Sequence, residues 1–342
     1  MRPLSLIPEP FRILLGGSLL ILLLPLTLIA QLVLFAQIKR NAPENISRTA
    51  VSVFVVRLYM HFIGFRSDHC AVKLAQNLEF LNVPCLRFLC SQQQVLDWMF
   101  GGGFLPNKHA TGTNRLMTLR VGMIDECVRE AVKGQDVNQF VIIGAGYDVN
   151  SYQPMVVKAA KQDGLRCFEI DKQETHLVKV QAVKAAKLHS DHVTFISCEL
   201  GKENWVEKLL LNGFSPLEPT LFIWEGVTYY LHNKDVKSTL AKIKGNMALH
   251  GSSRLVFDFP FRDRANPALL KRLEQLGEPW LFDLKSKPER DSCVHAISDL
   301  IHSSAKLQLI KADFVENQEQ AEGMGPFFAG CVVCAKNKPN EV

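Results

Sequence analysis

Two glycines and four acids carry the chemistry that this sequence can do. Gly144 and Gly146 follow the unbroken apolar run Phe140-Val141-Ile142-Ile143, and Ala145, Tyr147 and Asp148 complete the turn. Glycines there let the backbone turn sharply and let a ligand come close to it. Asp171, Glu199 and Glu225 each stand at or just beyond the end of another apolar run: Leu165–Asp171, Val193–Ser197 and Thr220–Trp224. Carboxylates so placed accept hydrogen bonds from vicinal hydroxyls and pair with an amine or another positive centre. Tyr229, Tyr230 and His232 follow the last of these acids. One of them can orient or deprotonate an acceptor hydroxyl, whereas two tyrosines in a row equally suit packing of a helix on a sheet. Asp171 has two compatible readings, a ribose-type acceptor and the acid that opens the helical run after it. The glycine turn by itself also fits a tight connection that binds nothing.

These residues need a scaffold that brings strand ends together. An apolar run, a glycine turn and a helix after Pro154 (Met155–Lys161) make the first unit of a doubly wound α/β domain. The pattern repeats with helical stretches at Lys172–Leu188, Trp205–Leu211 and Asn233–Lys244, and with a fifth strand at Ser253–Phe259. Arg262–His302 reads as helical and charged, and Leu307–Ala312 and Phe327–Ala335 read as the last two of seven strands. In such a sheet the glycines and the acids share the edge where the ligand binds. Val149 stands where a dinucleotide fingerprint has its third glycine, which argues against a pyrophosphate ligand and a nicotinamide oxidoreductase. Ahead of the first strand, Thr113–Lys133 is amphipathic, with Leu116, Leu119, Met123, Cys127 and Val128 on one stripe. Arg120 lies near that stripe, where an arginine ordinarily snorkels to the surface.

The chain of 342 residues is 47% hydrophobic and carries a net charge of +5, enough apolar content for a full core and too mild a charge to point to nucleic acid. Its nine cysteines are odd in number and scattered, as expected of free thiols on the cytosolic side. Cys331 and Cys334 have metal or redox spacing but lie in an apolar run with no second Cys/His pair nearby, so they read as core; no metal set is visible. Ile13–Ile38 has no charged residue and exceeds the ~20 residues that cross a bilayer. It reads as a retained anchor rather than a cleaved signal. Lys39, Arg40, Arg48 and Arg57 outweigh Arg2 and Arg12, placing the remainder in the cytoplasm as a single-pass protein. Ala50–Phe65 is a shorter apolar stretch, and Leu74–Phe100 is helical with Pro84 interrupting it. Gly101-Gly102-Gly103 marks a hinge. The expected organisation is an anchor over residues 1–40, a helical extension over 41–103 and the α/β domain over 104–338.

Glycines and converging acids suit a ligand with hydroxyls, an amine and positive charge, and S-adenosylmethionine has a ribose diol, an α-amino group and a sulfonium. From about Thr113 to Ala335 the chain resembles the leucine carboxyl methyltransferase family of class I S-adenosylmethionine-dependent methyltransferases. The carrying residues are Gly144-Ala145-Gly146-Tyr147-Asp148, Phe168-Glu169-Ile170-Asp171, Glu199-Leu200 and Pro219–Val227. The resemblance implies a doubly wound, mostly parallel seven-stranded sheet and O-methylation of a carboxyl or hydroxyl group. It implies that Gly144 approaches the methionine moiety, with Ala145, Gly146 and Asp148 in the same loop. Asp171 would hold the ribose, Glu199 and Leu200 would flank the adenine, Glu225 would lie under the amine, and Arg120 would grip the carboxylate. Asn150 stands where the family often has an arginine. The anchor adds the expectation of a small or lipid-like acceptor. A fold retained as a membrane-tethered binding module without catalysis is the other reading.

Overall fold

A computed structural model describes residues 7–42, 46–100, 112–248, 252–316 and 327–335. The chain forms two compact units that interleave in sequence. The first takes residues 1–46, 52–110 and 178–188, and the second takes 47–51, 111–177 and 189–342. The glycine hinge at residues 101–103 lies outside the described residues. The short segment Ser47–Val51 groups with the α/β unit although it sits far upstream of it in sequence.

The first unit is helical. The helix α1 spans Glu9–Asn41, with Pro25 inside it, and among the described residues it alone is long and apolar enough to cross a membrane. Next come α2 (Arg48–Phe62), α3 (His69–Ala75) and α4 (Val83–Met99). The helical stretch expected over Leu74–Phe100 is thus two helices. The break precedes Pro84, which lies in the first turn of α4 where its missing N–H costs nothing. Asp68 and Asn82 cap α3 and α4, accepting from the amides of Ala71 and Cys85. Asp68 is fully buried and also meets Arg57 at 2.7 Å.

The second unit is a seven-stranded sheet in the order β3-β2-β1-β4-β5-β7-β6. The strands are β1 (Gln139–Ile143), β2 (Arg166–Asp171), β3 (Val193–Ser197), β4 (Thr220–Trp224), β5 (Arg254–Pro260), β6 (Gln308–Glu316) and β7 (Phe327–Ala335). Neighbours among the first five pair in parallel, and β7 runs antiparallel between β5 and β6. Strands β1 and β4 are buried at every position, as uninterrupted apolar runs require in a sheet covered on both faces. The helices are α5 (Gly112–Gly134), α6 (Pro154–Asp163), α7 (Gln173–Ala185, whose residues from Val178 group with the first unit), α8 (Trp205–Leu211), α9 (Asn233–Gly245), α10 (Pro267–Gln275) and α11 (Arg290–Ala305). The region expected to be helical over Arg262–His302 is therefore two helices separated by a non-helical stretch. Phe222, Trp224, Phe257, Phe259 and Phe282 are at the centre of the core. Cys331 and Cys334 are buried in β7, opposite Asp258 and Leu255 of β5. All nine cysteines are free thiols.

Candidate functional site

The order reverses between β1 and its two neighbours: β2 lies on one side and β4 on the other. That is the crevice where an open α/β sheet holds its ligand. The amides of Gly144 and Ala145 both donate to the carbonyl of Ile170, so the turn after β1 is fastened to β2. Gly144 has φ +71° and Gly146 φ +43°, conformations that side chains disfavour. A Cβ on Gly144 would collide with the Val227 side chain, so the turn after β4 presses against the turn after β1.

Asp171, at the tip of β2, is turned toward the glycine turn. Its Oδ2 accepts from the Gly146 amide at 2.5 Å and its Oδ1 from the Lys172 amide at 2.7 Å. Asp148 accepts from the backbone and the side-chain amide of Asn150, each at 2.7 Å. Asn150 therefore braces the acid of the loop in place of the absent arginine.

Arg120 is not a surface residue. It is 2% exposed, and its guanidinium lies between Glu225 and Asp258. Nε is 2.9 Å from Oε1 of Glu225 and Nη1 is 2.9 Å from Oδ2 of Asp258. Burial opposes the guanidinium charge, but the two carboxylates outweigh it and hold its pKa above the ordinary value. The other oxygen of Asp258 accepts from the Gly226 amide at 2.7 Å. Thr228 donates its hydroxyl to the Asp258 carbonyl. Asp258 thus fixes the turn that carries Glu225. Sequence reasoning passed it over, although it is the lone acid inside Leu255-Val256-Phe257-Asp258-Phe259. A single carboxylate in a run buried on both faces requires a buried cation as partner.

Glu199 and Leu200 follow β3. Glu199 is half exposed and pairs with Lys202 at 2.7 Å. Leu200, Ile143, Trp224, Leu231, Asp235 and Thr239 help to line a cavity of about 360 Å³ between the strand tips and α8 and α9. Trp224 is fully buried, and its Nε1 donates to no group among the described residues. A buried indole N–H without an acceptor at a cavity wall is a ready donor for a bound ligand. The sequence places Trp224 at a strand end inside the family-like segment Pro219–Val227; burial, not residue type, marks it as a donor.

Of the tyrosines, Tyr229 is buried with its ring 4.7 Å from that of Trp280. Burial first, and then Asp258, push its hydroxyl well above the ordinary phenol range. Burial also raises Tyr230, though a hydrogen bond with Thr49 opposes the rise. His232 is exposed and precedes the first turn of α9. The segment Ser47–Val51 closes over this corner. Ser47 Oγ and the Thr49 amide both donate to Glu278, at 2.9 and 2.8 Å, and a Cβ on Gly146 would stand 3.3 Å from that of Ala50.

The strand order and the antiparallel seventh strand define the class I methyltransferase architecture. The family described as leucine carboxyl methyltransferase matches residues 88–244 of this chain. A provisionally named S-adenosyl-L-methionine-dependent methyltransferase of Streptomyces coelicolor is 28% identical over 155 residues, 43% of this chain and 52% of the relative. One from Mycolicibacterium gilvum is 28% identical over 175 residues, 49% of this chain and 54% of the relative. The chain thus spans about half the length of the curated relatives it matches. A provisionally named methyltransferase structure from Thermobifida fusca is similar at 16% identity and a TM-score of 0.46, covering 82% of this chain and 94% of the other.

Proposed function

We propose that this chain is an S-adenosylmethionine-dependent methyltransferase acting on a carboxyl or hydroxyl oxygen of a small or lipophilic acceptor. The observation that carries the reading is Asp171: its carboxylate, anchored by the Gly146 and Lys172 amides, stands between the β2 tip and the glycine turn, the place at which a class I sheet meets a ribose diol. The site fits the cofactor in two further respects. Positive φ at Gly144 and Gly146 keeps the turn after β1 free of side chains, and the cavity beside Leu200 has in Trp224 a donor with no acceptor among the described residues.

S-adenosylmethionine, when bound, supplies a methyl group already activated by its sulfonium. The chain's own work is then positioning and exclusion of water. Asp171 holds the ribose and Leu200 covers the adenine. Glu199 stands beside it, held outward by Lys202. Gly144, with Ala145 and Gly146, gives close approach, and Asp148 keeps the loop shape through Asn150. Glu225 faces the amine, oriented by Arg120. This is a different use of Arg120 from a direct grip on a carboxylate, since two acids of the chain already share its guanidinium. A carboxylate acceptor is ionised near neutral pH and needs no base. Raised phenols at Tyr229 and Tyr230 fit hydrogen-bond donation better than proton abstraction, which leaves His232 as the group to receive a proton from a hydroxyl acceptor.

The apolar α1 supports membrane association, and nine free thiols fit an α/β unit on the cytoplasmic side. Nucleic acid is not among the partners proposed. Calorimetric titration of the full chain in detergent with S-adenosylhomocysteine tests the cofactor, and membranes incubated with methyl-labelled S-adenosylmethionine test the transfer. Saturable micromolar binding and a labelled product whose ester or ether linkage identifies the oxygen are expected. Absence of binding at millimolar concentration would refute the reading, and binding without any labelled product would leave only a binding module.

A further inference from the structure

The length of α1 invites an upright crossing, but its neighbours forbid one. The first unit packs α4 antiparallel along α1 from about Gly16 to Gln37. Arg12 Nη1 donates to the Trp98 carbonyl near one end. Gln92 Nε2 meets Thr27 Oγ1 at 2.7 Å near the middle. Gln37 and Asn41 donate to the Glu79 carbonyl near the other end. A Cβ on Gly16 would collide with the Met99 side chain, so the two backbones run close together.

Now consider the middle of α1 at the centre of a bilayer. Gln92-Gln93-Gln94 would be at that depth, together with the Phe62 carbonyl that Gln94 reaches at 3.2 Å. Just beyond Phe62 the chain leaves the helix, with Gly64 at φ +81°, and runs to the ion pair of Asp68 with Arg57. Irregular backbone and ion pairs do not stand in hydrocarbon at the flank of a single span. Arg87 is exposed on α4 itself.

The exposed surface of α1 is of another kind. Leu15, Leu22 and Ile29, seven residues apart and so on one side, are 56%, 75% and 54% exposed. Gly16 and Ala30 are its only buried residues. Helices held in a membrane face need an apolar side and a polar side. Apolar nearly all round, α1 lacks the second; α4 supplies it. Arg12 at one end and Lys39 and Arg40 at the other are basic, as suits contact with anionic headgroups at both ends on the same leaflet. We infer that α1 lies along one membrane face, sunk by its exposed flank into lipid, with α4 as its polar side and both its ends on the same side of the bilayer.

The test uses the full chain. Leu15→Cys, Leu22→Cys and Ile29→Cys, each spin-labelled against a wild-type background in phosphatidylcholine–phosphatidylglycerol vesicles, report depth. Equal immersion of all three is expected. An upright helix instead separates neighbours in this set by about 10 Å along the normal, and that stepped profile, or full water exposure of all three, overturns the inference. Glu9→Cys and Asn41→Cys in sealed membranes give an independent reading with an impermeant maleimide. Equal reactivity at the two sites supports the in-plane arrangement; reaction of one site with the other protected until the membrane is permeabilised overturns it. All of these positions belong to the first unit and none to the α/β unit, so the outcome is separate from that of cofactor binding.

Discussion

Nη1 of Arg120, on α5, lies 2.9 Å from Oδ2 of Asp258, on β5, across 138 positions of sequence. The pair ties the helix that precedes the sheet to its fifth strand, and Glu225 completes the arrangement at the tip of the fourth. Removing one partner of a buried pair leaves an uncompensated charge, at a cost of about 3–5 kcal/mol. Asp258→Asn is accordingly expected to lower stability by that order in urea unfolding and to weaken S-adenosylhomocysteine binding through a loosened Glu225. Normal stability and affinity would show that the pair positions nothing.

Gly144→Ala combines positive-φ strain with a collision against Val227. The expected loss is about 1–3 kcal/mol of stability together with cofactor affinity. Adding Val227→Ala removes the collision and not the strain, so stability should return only in part. Complete rescue would mean that φ at Gly144 is immaterial.

Asp171→Ala deletes a charged acceptor of two backbone amides. Charge-assisted hydrogen bonds contribute about 1.5–3 kcal/mol each, so titration calorimetry should show cofactor binding weakened roughly tenfold or more. Trp224→Phe keeps the apolar ring and removes the unused donor. A smaller loss, with disappearance of any indole fluorescence change on binding, is expected; unchanged affinity in both variants would displace the site.

Asp68 is subject to two opposing influences: burial raises its pKa, while Arg57 and Arg66 lower it and prevail. Because the folded value is depressed, its contribution to stability is complete above the unfolded carboxylate range near ~4 and is lost as pH falls through the folded value. Urea midpoints measured downward from pH 7 should show an acid-side decline that Asp68→Asn flattens. An identical decline in the variant would assign it to other groups.

Buried thiols are poor nucleophiles. Burial raises Cys90 to about 11 and Cys127 to about 12. Cys85 alone is not fully buried. With a disulfide reagent at neutral pH the folded protein should therefore give at most one fast thiol, against nine in denaturant.

The sequence by itself determined the alternation of strand and helix, because runs such as Phe140–Ile143 and Thr220–Trp224 are apolar without a break and only a doubly covered sheet hides both of their faces. It also placed the glycine turn and Asp171, since strand tips in that architecture share an edge. The partner of Arg120 was decided by tertiary structure alone. Local periodicity makes an arginine near an apolar stripe a surface residue, and nothing in α5 foretells a carboxylate 138 residues downstream. The same holds for α1. Composition records that a helix is apolar, but which flank stays exposed depends on where α4 folds back, a contact between segments whose sequences carry no mark of each other.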